Sequence, residues 1–139
     1  MSAEMKKDGY ANVISIDWSQ VCIDNMKNLD PNGHYEKMDA CDLSFEDGSF
    51  ELVVVKGLID SMSCGENYIS HISKALNEIH RVLTESGTLV CISYGCPEQR
   101  KWYFEGENAE QYTWTVECEK IAKPKLPNMD TTLRKGQDP

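Results

Sequence analysis

The most continuous run of apolar residues lies near the middle of the chain, from Phe50 to Val55. An almost unbroken, β-branched run of this kind predicts a strand buried on both faces, as in a parallel sheet covered by helices. The Asp47-Gly48 pair before it is a strong turn signal, Lys56-Gly57 ends it, and a carboxylate follows at Asp60. Ligands of open α/β sheets bind beyond the carboxyl ends of the strands. This end of the run is therefore the first place to expect a functional site.

Four further segments have the pattern of strands. The second is the weakest, and the last alternates cleanly, with Tyr112, Trp114, Val116 and Cys118 on one face. These predicted strands are Asn12 to Asp17, Tyr35 to Asp39, Thr88 to Ser93 and Tyr112 to Cys118.

Apolar residues at spacings of three and four predict the helices that separate these strands. The clearest set predicts one long helix ended by Ser86-Gly87 and consists of Ile69, Ile72, Leu76, Ile79 and Leu83. A shorter helix is predicted after Ser19, which can cap it, and its apolar face comprises Val21, Cys22, Ile23 and Met26. Ser2 to Lys7 predicts a third helix, with Gly9 as its C-cap.

The rest of the chain is polar. Ser61 to Asn67 predicts a loop, and Glu98 to Gln111 predicts irregular structure. Strands that alternate with helices predict an α/β fold with a largely parallel sheet. We expect one domain over residues 1–119. Residues 120–139, which are polar and contain three prolines, predict an extended or disordered tail.

Composition limits the classes of function. The chain has 139 residues, and 14 basic against 23 acidic side chains give a formal net charge of −9. Because nucleic-acid-binding proteins generally carry a basic patch, this balance argues against a nucleic-acid partner. The N-terminus is no signal peptide, and no apolar run approaches the length of a membrane span. We therefore expect no membrane association.

The cysteines and histidines show no metal-binding pattern. Six cysteines and three histidines are scattered without the spacing of a zinc site, so no metal is predicted. Cys22 and Cys91 lie in apolar segments and are predicted to be small core residues. Scattered cysteines without a Cys-x-x-Cys pair favour a reducing compartment, and a cytoplasmic location is expected.

Four side chains near predicted strand ends could serve a ligand, and each has an ordinary structural interpretation. Asp17 could bind the hydroxyls of a nucleotide ribose, or it could be a helix-capping or turn residue. Asp39 has the same two interpretations. Trp18 could cover an adenine ring, although a tryptophan beside a sheet is more often in the core. Lys56 could contact a substrate or simply be solvated.

Three segments in combination resemble a known family. They are Ile16-Asp-Trp-Ser19, Met38-Asp-Ala40, and the stretch from Leu43 to Asp60 that contains Phe-Glu-Leu-Val-Val-Val-Lys-Gly-Leu-Ile-Asp. The resemblance is to S-adenosylmethionine-dependent methyltransferases with the Rossmann-like fold, whose sheet has helices on both faces. It continues through Asn77 to Gly87 and Cys91 to Gly95 and covers residues 1 to about 120. Phe-Glu-x-Val-x-x-Lys-Gly-x-x-Asp is similar to the branch that contains lysine methyltransferases of translation elongation factors.

The resemblance implies S-adenosylmethionine as the cofactor and a protein as a possible substrate. Asp17 would bind the ribose hydroxyls, and Trp18 would pack on the adenine. Asp39 would accept a hydrogen bond from the adenine amino group, with the backbone of Ala40 beside the ring. Val55 and Lys56 would line the mouth where the methyl group is transferred. The resemblance assigns no catalytic residue, and Glu98 to Gln111 is the candidate region for acceptor specificity.

The sequence departs from the family pattern in three places. The first strand with its glycine-rich loop and the last strand are not represented, and Val55 stands where the family has an acid. We expect the parent protein to be a methyltransferase, and this polypeptide alone to be inactive or nearly so. The alternative is a non-catalytic interaction module that pairs with another chain to complete the sheet. A nicotinamide-dependent dehydrogenase ranks last, since the sequence shows no phosphate-binding glycines.

Overall fold

A computed structural model of the chain describes residues 1–105 and 109–122. The strands are β1 (Ile14–Asp17), β2 (His34–Lys37), β3 (Phe50–Lys56) and β4 (Leu83–Ile92). The helices are α1 (Ser2–Lys7), α2 (Gln20–Leu29), α3 (Leu58–Met62), α4 (Tyr68–Val82) and α5 (Pro97–Arg100), followed by a 3-10 helix, Lys101–Tyr103.

The four strands pair in parallel, two by two. β1 lies beside β2, with Asp17 opposite Lys37, and β3 lies beside β4, with Lys56 opposite Ile92. Among the described residues these pairs form two separate two-stranded sheets. Parallel strands joined through helices confirm the predicted α/β fold and its Rossmann-like topology. The prediction that β3 is buried on both faces is only partly confirmed. Val55 is the one residue of this strand that is buried.

Helix α4 forms the centre of the core, as its spacing predicts. Ile72, Leu76 and Ile79 on one face are between 0% and 2% exposed. They pack with buried residues from β3, α3, β4 and the segment after α5, namely Val55, Ile59, Leu83, Tyr103, Ala109 and Tyr112. One helix therefore holds the second strand pair and the C-terminal described segment together.

The predicted end of α4 is wrong. The helix ends at Val82, and Leu83 already has the extended conformation of β4, opposite Phe50. The pairing register then shifts before Leu52 pairs with Thr88, so Gly87 lies in an irregular part of the strand. A Cβ atom at Gly87 would lie 2.9 Å from Leu83 Cδ2 and 3.0 Å from the Thr84 carbonyl oxygen. Gly87 thus permits close packing within the bulge, and it does not cap a helix.

The apolar face predicted for α2 is mostly wrong. Ser19 caps the helix as predicted, with its Oγ accepting from the Cys22 amide at 3.3 Å. Ile23 is buried, but Val21 is 70% exposed and Cys22 is also exposed. The described part of the fold covers only a narrow strip of this helix, on the side that packs on β1 and β2. Cys22 is therefore not a core residue.

Cys91 is only partly buried, and it packs against the core. Burial, followed by the nearby charge of Asp60, raises the pKa of its thiol to about 11. All six cysteines lie in the described part of the chain, and each is unpaired. The described residues contain no cluster of potential metal ligands and no helix long and apolar enough to cross a membrane.

The strand predicted for Tyr112 to Cys118 is not formed. The predicted alternation of the side chains is still seen in their burial. Tyr112 is buried and Trp114 is half-buried, while Thr113 is exposed. Both rings lie against His80 of α4, with centroids 5.3 Å away. Side-chain contacts with α4 hold this segment in place, without hydrogen bonds to a neighbouring strand.

Two predicted loops contain short helices. Ser61 to Asn67 begins within α3, and Glu98 to Gln111 contains most of α5 and the 3-10 helix. Gly9 follows α1 with a φ of +97°, which agrees with the expected C-terminal position. The predicted tail, 120–139, lies outside the described residues from position 123 onward.

The loop before β3 is held to α4 by Arg81. Its guanidinium donates to the carbonyl oxygens of Leu43 and Phe45 and to the carboxylate of Asp47, at 2.7 to 2.8 Å. It also forms a forked pair with Glu78, at 2.8 and 2.9 Å. Glu78 Oε2, which accepts from Arg81 Nη2, also accepts from the Leu43 amide at 2.8 Å. Since this loop joins the two strand pairs along the chain, the cluster helps to set where β3 begins.

Candidate functional site

Asp17 lies at the carboxyl end of β1, half-buried. Its Oδ1 accepts a hydrogen bond from the Ser19 amide at 2.8 Å, which fixes the turn into α2. The negative charge of Asp17, with partial desolvation, raises the pKa of the neighbouring Cys22 thiol. The interpretation of Asp17 as a turn residue is therefore correct for one oxygen. The same turn holds the carboxylate at the strand end where a ligand would bind.

Asp39 lies just beyond β2, next to that site. The Met38 amide donates to the Asp17 carbonyl oxygen at 3.0 Å, so the two strand ends are joined. Asp39 Oδ1 accepts from the Cys41 amide at 2.9 Å. Asp39 is exposed and Ala40 half-exposed. Burial, and then the Asp39 charge, raises the pKa of the Cys41 thiol.

Trp18 is 80% exposed. The interpretation of this residue as a core tryptophan is therefore wrong. Trp18 directly follows Asp17, and its exposed indole ring presents an aromatic surface to solvent.

Val55 and Lys56 form the end of β3 and differ sharply in exposure. Val55 is 9% exposed and belongs to the core, so its side chain contacts Ile59 and α4 residues in place of solvent. Any contact of Val55 with a ligand would use its backbone. Lys56 is exposed. Gly57 follows with a φ of +72° and donates from its amide to the Ile92 carbonyl oxygen at 2.9 Å, which starts α3 directly after the strand.

Asp60 lies in α3 and anchors the end of β4. Its carboxylate accepts from Ser93 Oγ at 2.6 Å, from the Tyr94 amide at 3.0 Å and from Arg100 Nη2 at 3.0 Å. Partial burial pushes the pKa of Asp60 upward, but these three donors together hold it below its ordinary value. The carboxylate is thus firmly ionised at neutral pH.

Sequence reasoning identified Asp60 but missed Ser93 and Arg100. The three residues come from α3, the segment after β4, and α5, and no local pattern connects them. A signal was present in Gly95-Cys96-Pro97, which predicts a turn after the strand and brings the next helix back toward the sheet.

The predicted site residues form two groups. Asp17, Trp18, Asp39 and Ala40 lie at the carboxyl ends of β1 and β2, which pair with each other. Val55 and Lys56 lie at the carboxyl end of β3, which pairs with β4. Both groups occupy the strand ends at which open α/β sheets bind ligands. The fold and these ends are those of a partial Rossmann-like α/β domain.

Comparison with known proteins assigns the family. Residues 1–91 match the family described as "Methyltransferase domain". The mouse eEF1A lysine and N-terminal methyltransferase is 32% identical over 99 residues, 67% of this chain. The bovine EEF1A lysine methyltransferase 4 is 28% identical over 127 residues, 84% of this chain. The chain belongs to the methyltransferase domain family, and within the class I, S-adenosylmethionine-dependent enzymes it resembles the elongation-factor lysine methyltransferases.

The structural comparison agrees with this fold. The PH0226 protein from Pyrococcus horikoshii superposes with a TM-score of 0.54 and 28% sequence identity, over 65% of this chain and 42% of that protein. The chain spans only part of its relatives, namely 14% of the mouse protein and 49% of the bovine one.

Proposed function

We propose that this chain is part of an S-adenosylmethionine-dependent methyltransferase that acts on a lysine of a protein. The observation that carries the proposal is the arrangement at the ends of β1 and β2. There two carboxylates, Asp17 and Asp39, lie at the ends of adjacent, hydrogen-bonded strands, and the exposed Trp18 directly follows Asp17. An aromatic face with nearby acceptors for hydroxyl and amino groups suits an adenosine.

The residues that would hold the cofactor follow from this chemistry. Asp17 would accept from the ribose hydroxyls, Trp18 would stack on the adenine, and Asp39 with the Ala40 backbone would bind its edge. Lys56 and the Val55 backbone would line the transfer mouth. When bound, S-adenosylmethionine supplies a sulfonium methyl group, which an amine lone pair takes while the S–C bonding pair remains on sulfur. The protein would contribute alignment and exclusion of water.

A polypeptide acceptor is supported by the named activities of the relatives and by the acidic charge of the chain, which suits a basic partner. We propose that residues 1–119 form the methyltransferase portion and that 120–139 form a tail. A cytoplasmic location is supported by six unpaired cysteines.

Calorimetric titration with S-adenosylmethionine tests the proposal. In contrast to the inactivity expected from the sequence departures, the proposal predicts micromolar binding by the chain, and Asp17→Asn is expected to weaken it by roughly tenfold to a hundredfold through loss of a charge-assisted hydrogen bond. Asparagine keeps a carbonyl oxygen for the Ser19 amide, so the turn into α2 is preserved.

The matched control is Asp24→Asn, an exposed acid on the helix α2 that follows Asp17, whose contact is with Gln20. It should bind like the unmodified chain. No binding by the unmodified chain would contradict the proposal and agree with the expectation that this polypeptide alone is inactive. Equal weakening by both substitutions would contradict the assigned position of Asp17.

The second candidate is a non-catalytic module that pairs with another chain. It is favoured by the two separate strand pairs and by β1, whose four residues are all only half-buried. A strand supplied by a partner would satisfy such an edge. In size-exclusion chromatography with light scattering, this candidate predicts self-association or capture of a partner. A single, well-folded monomeric species that binds S-adenosylmethionine would exclude it.

A further inference from the structure

A small cavity lies between the first half of α4 and the 3-10 helix. Its volume is about 80 Å³, and it is partly open to solvent. Ile72 and Leu76 form part of its buried wall and are 0% and 1% exposed, whereas Ile69 is 49% exposed. The cavity is therefore an apolar space that a group from solvent can reach. It is lined by Ile69, Ile72, Ser73, Leu76, Trp102 and Tyr103.

The cavity lies on the side of the domain where the strands end. Because β3 and β4 are parallel, the helical connection between them must run back against the strand direction. The first turns of α4 therefore lie toward the carboxyl end of β3, where Lys56 is. Trp102 and Tyr103 follow the carboxyl end of β4 after the short helix α5. Both walls of the cavity thus come from the side on which the methyl group would be transferred.

The aromatic wall of the cavity is held in place at both of its ends. Its two rings have centroids 4.0 Å apart. Arg100, which directly precedes them, donates to Asp60 at 3.0 Å. The carbonyl oxygen of Phe104, which directly follows them, accepts from Trp114 Nε1 at 2.9 Å. A wall that is fixed beforehand loses little conformational entropy when a ligand binds.

A wider and shallower depression adjoins the cavity and shares Ile69 and Ser73 with it. Its other lining residues, Asn67, Tyr68 and Ser70, all have side chains that form hydrogen bonds. The side chain of Asn67 does not cap α4. Polar side chains beside an apolar cavity suit an extended peptide, whose backbone can bond to the depression while one side chain enters the cavity.

The charge of this surface suits a peptide that contains lysine. From Ser61 to Ser73, Glu66 is the only charged side chain apart from the titratable His71. Glu66 is exposed and directly precedes Asn67 at the depression. An exposed carboxylate at this position attracts a cationic peptide and repels an acidic one.

We propose that the cavity receives one aliphatic side chain of the acceptor polypeptide, from a residue close in sequence to the methylated lysine. An aliphatic occupant follows from the apolar lining and from the volume of about 80 Å³, which is smaller than the roughly 150 Å³ of a cavity that holds benzene. The proposal rests on the proposed lysine methyltransferase function. It gives the segment Glu98 to Gln111, which contains Trp102 and Tyr103, a defined role in the choice of acceptor.

The first test compares short peptides by NMR titration of the isotope-labelled chain. The parent peptide is acetyl-Gly-Gly-Lys-Gly-Gly-amide, and each of the others has one glycine replaced by leucine. We expect one leucine peptide to bind roughly tenfold more tightly than the parent, because a leucine side chain is removed from water. It should shift the signals of the Trp102 indole and the Ser73 amide. The matched control has glutamate in place of that leucine and should bind no better than the parent.

The second test fills the cavity. Ser73→Met places a flexible apolar side chain in the space, whereas Ser73→Ala removes the same hydroxyl and leaves the space open. Ser73→Met should reduce the advantage of the leucine peptide to within about twofold of the parent peptide, and Ser73→Ala should keep the advantage. Ile69→Trp enlarges an exposed lining residue and should act like Ser73→Met by covering the entrance. Thermal unfolding followed by circular dichroism verifies that each variant is folded.

The outcomes separate the two proposals. A chain that binds no S-adenosylmethionine in the calorimetric titration overturns the proposed function and the role of the peptide as acceptor, while the NMR titrations still decide whether the cavity binds a leucine side chain. Equal binding of the parent and all leucine peptides overturns the cavity as a binding site. A leucine preference that both Ser73→Met and Ile69→Trp leave intact does so too.

Methyl transfer, measured by mass spectrometry, tests the role of the bound peptide. The preferred leucine peptide should have a lower KM than the parent, with kcat unchanged, because the cavity lies apart from the reacting atoms. Transfer with the same KM for both peptides would overturn the assignment of the cavity to the acceptor.

Discussion

Leu76→Ala is expected to lower the free energy of unfolding by about 2 to 5 kcal/mol. Leu76 lies on the buried face of α4 and is 1% exposed, at the centre of the cluster that joins β3, β4 and the segment after α5. Removing its methyl groups loses their transfer free energy and leaves a cavity that the packed neighbours fill only in part. Equilibrium unfolding in urea, followed by circular dichroism, measures the change.

The chain offers a matched control for this substitution. Leu29 is the last residue of α2 and is 79% exposed. Leu29→Ala removes the same atoms from a site with few packed neighbours, so we expect a change within about 0.5 kcal/mol. Similar losses in the two variants would contradict the assignment of α4 as the centre of the core.

The contrast between these two leucines illustrates what the sequence could predict. Helix α4 was predicted because its apolar residues fall on one face, and one continuous face requires a packed partner. The exposure of α2 could not be predicted in the same way. Its apolar residues are few, and which of them is covered depends on where β1 and β2 lie beneath the helix. Val21 and Ile23 are similar in chemistry and differ in burial for that reason.

The boundary of α4 shows a second limit. Leu83 continues the helical spacing in the sequence, yet it is extended because it pairs with Phe50 of β3. Strand pairing between distant segments therefore outweighed the local helical pattern. Ser86 and Gly87, which predicted the end of the helix, lie instead in the irregular part of β4. Tyr112 to Cys118 shows the converse, since its strand-like alternation is satisfied by contacts with His80.

The parts of the candidate site that depend on short sequence segments could be predicted. Asp17 and Asp39 stand at the ends of predicted strands, and a carboxylate at a strand end can be recognised in the sequence. The Asp60–Arg100 pair joins residues 40 positions apart. The exposure of Trp18 depends on how the strands and helices around it are arranged. Neither feature has a local signal. They depend on tertiary packing, which a residue pattern does not encode directly.

Arg81→Ala is expected to be the most damaging substitution outside the apolar core. The guanidinium group of Arg81 binds two carbonyl oxygens, Asp47 and Glu78, and its own carbonyl oxygen accepts from the Gly48 amide at 2.9 Å. Alanine would leave the half-buried Glu78 without its cation and the loop before β3 without its side-chain contacts. Arg81→Lys should recover only a minor part of the loss, because an ammonium group cannot reproduce the planar, forked geometry.

The loss of unfolding free energy caused by Arg81→Ala should also depend on pH. The hydrogen bonds from Arg81 are the largest cause that lowers the pKa of Glu78 below its ordinary value of 4.5, against a smaller opposing effect of burial. A carboxyl group with a lowered folded-state pKa contributes stability above its unfolded pKa and loses it as the pH falls through the folded value. The difference in unfolding free energy between the unmodified chain and Arg81→Ala should therefore be largest near neutral pH and shrink below about pH 4.5.

Urea unfolding at several pH values, with hydrogen exchange at the Leu43 and Gly48 amides, measures both effects. Lys74→Ala, at an exposed position of the same helix, is the control and should leave the midpoint and both amides unchanged. If the difference in unfolding free energy between the unmodified chain and Arg81→Ala stays constant across the acidic range, Arg81 acts only through packing of its aliphatic side-chain atoms. Faster exchange confined to the variants at position 81 would instead locate the lost stability in the loop that leads from the ends of β1 and β2 into β3.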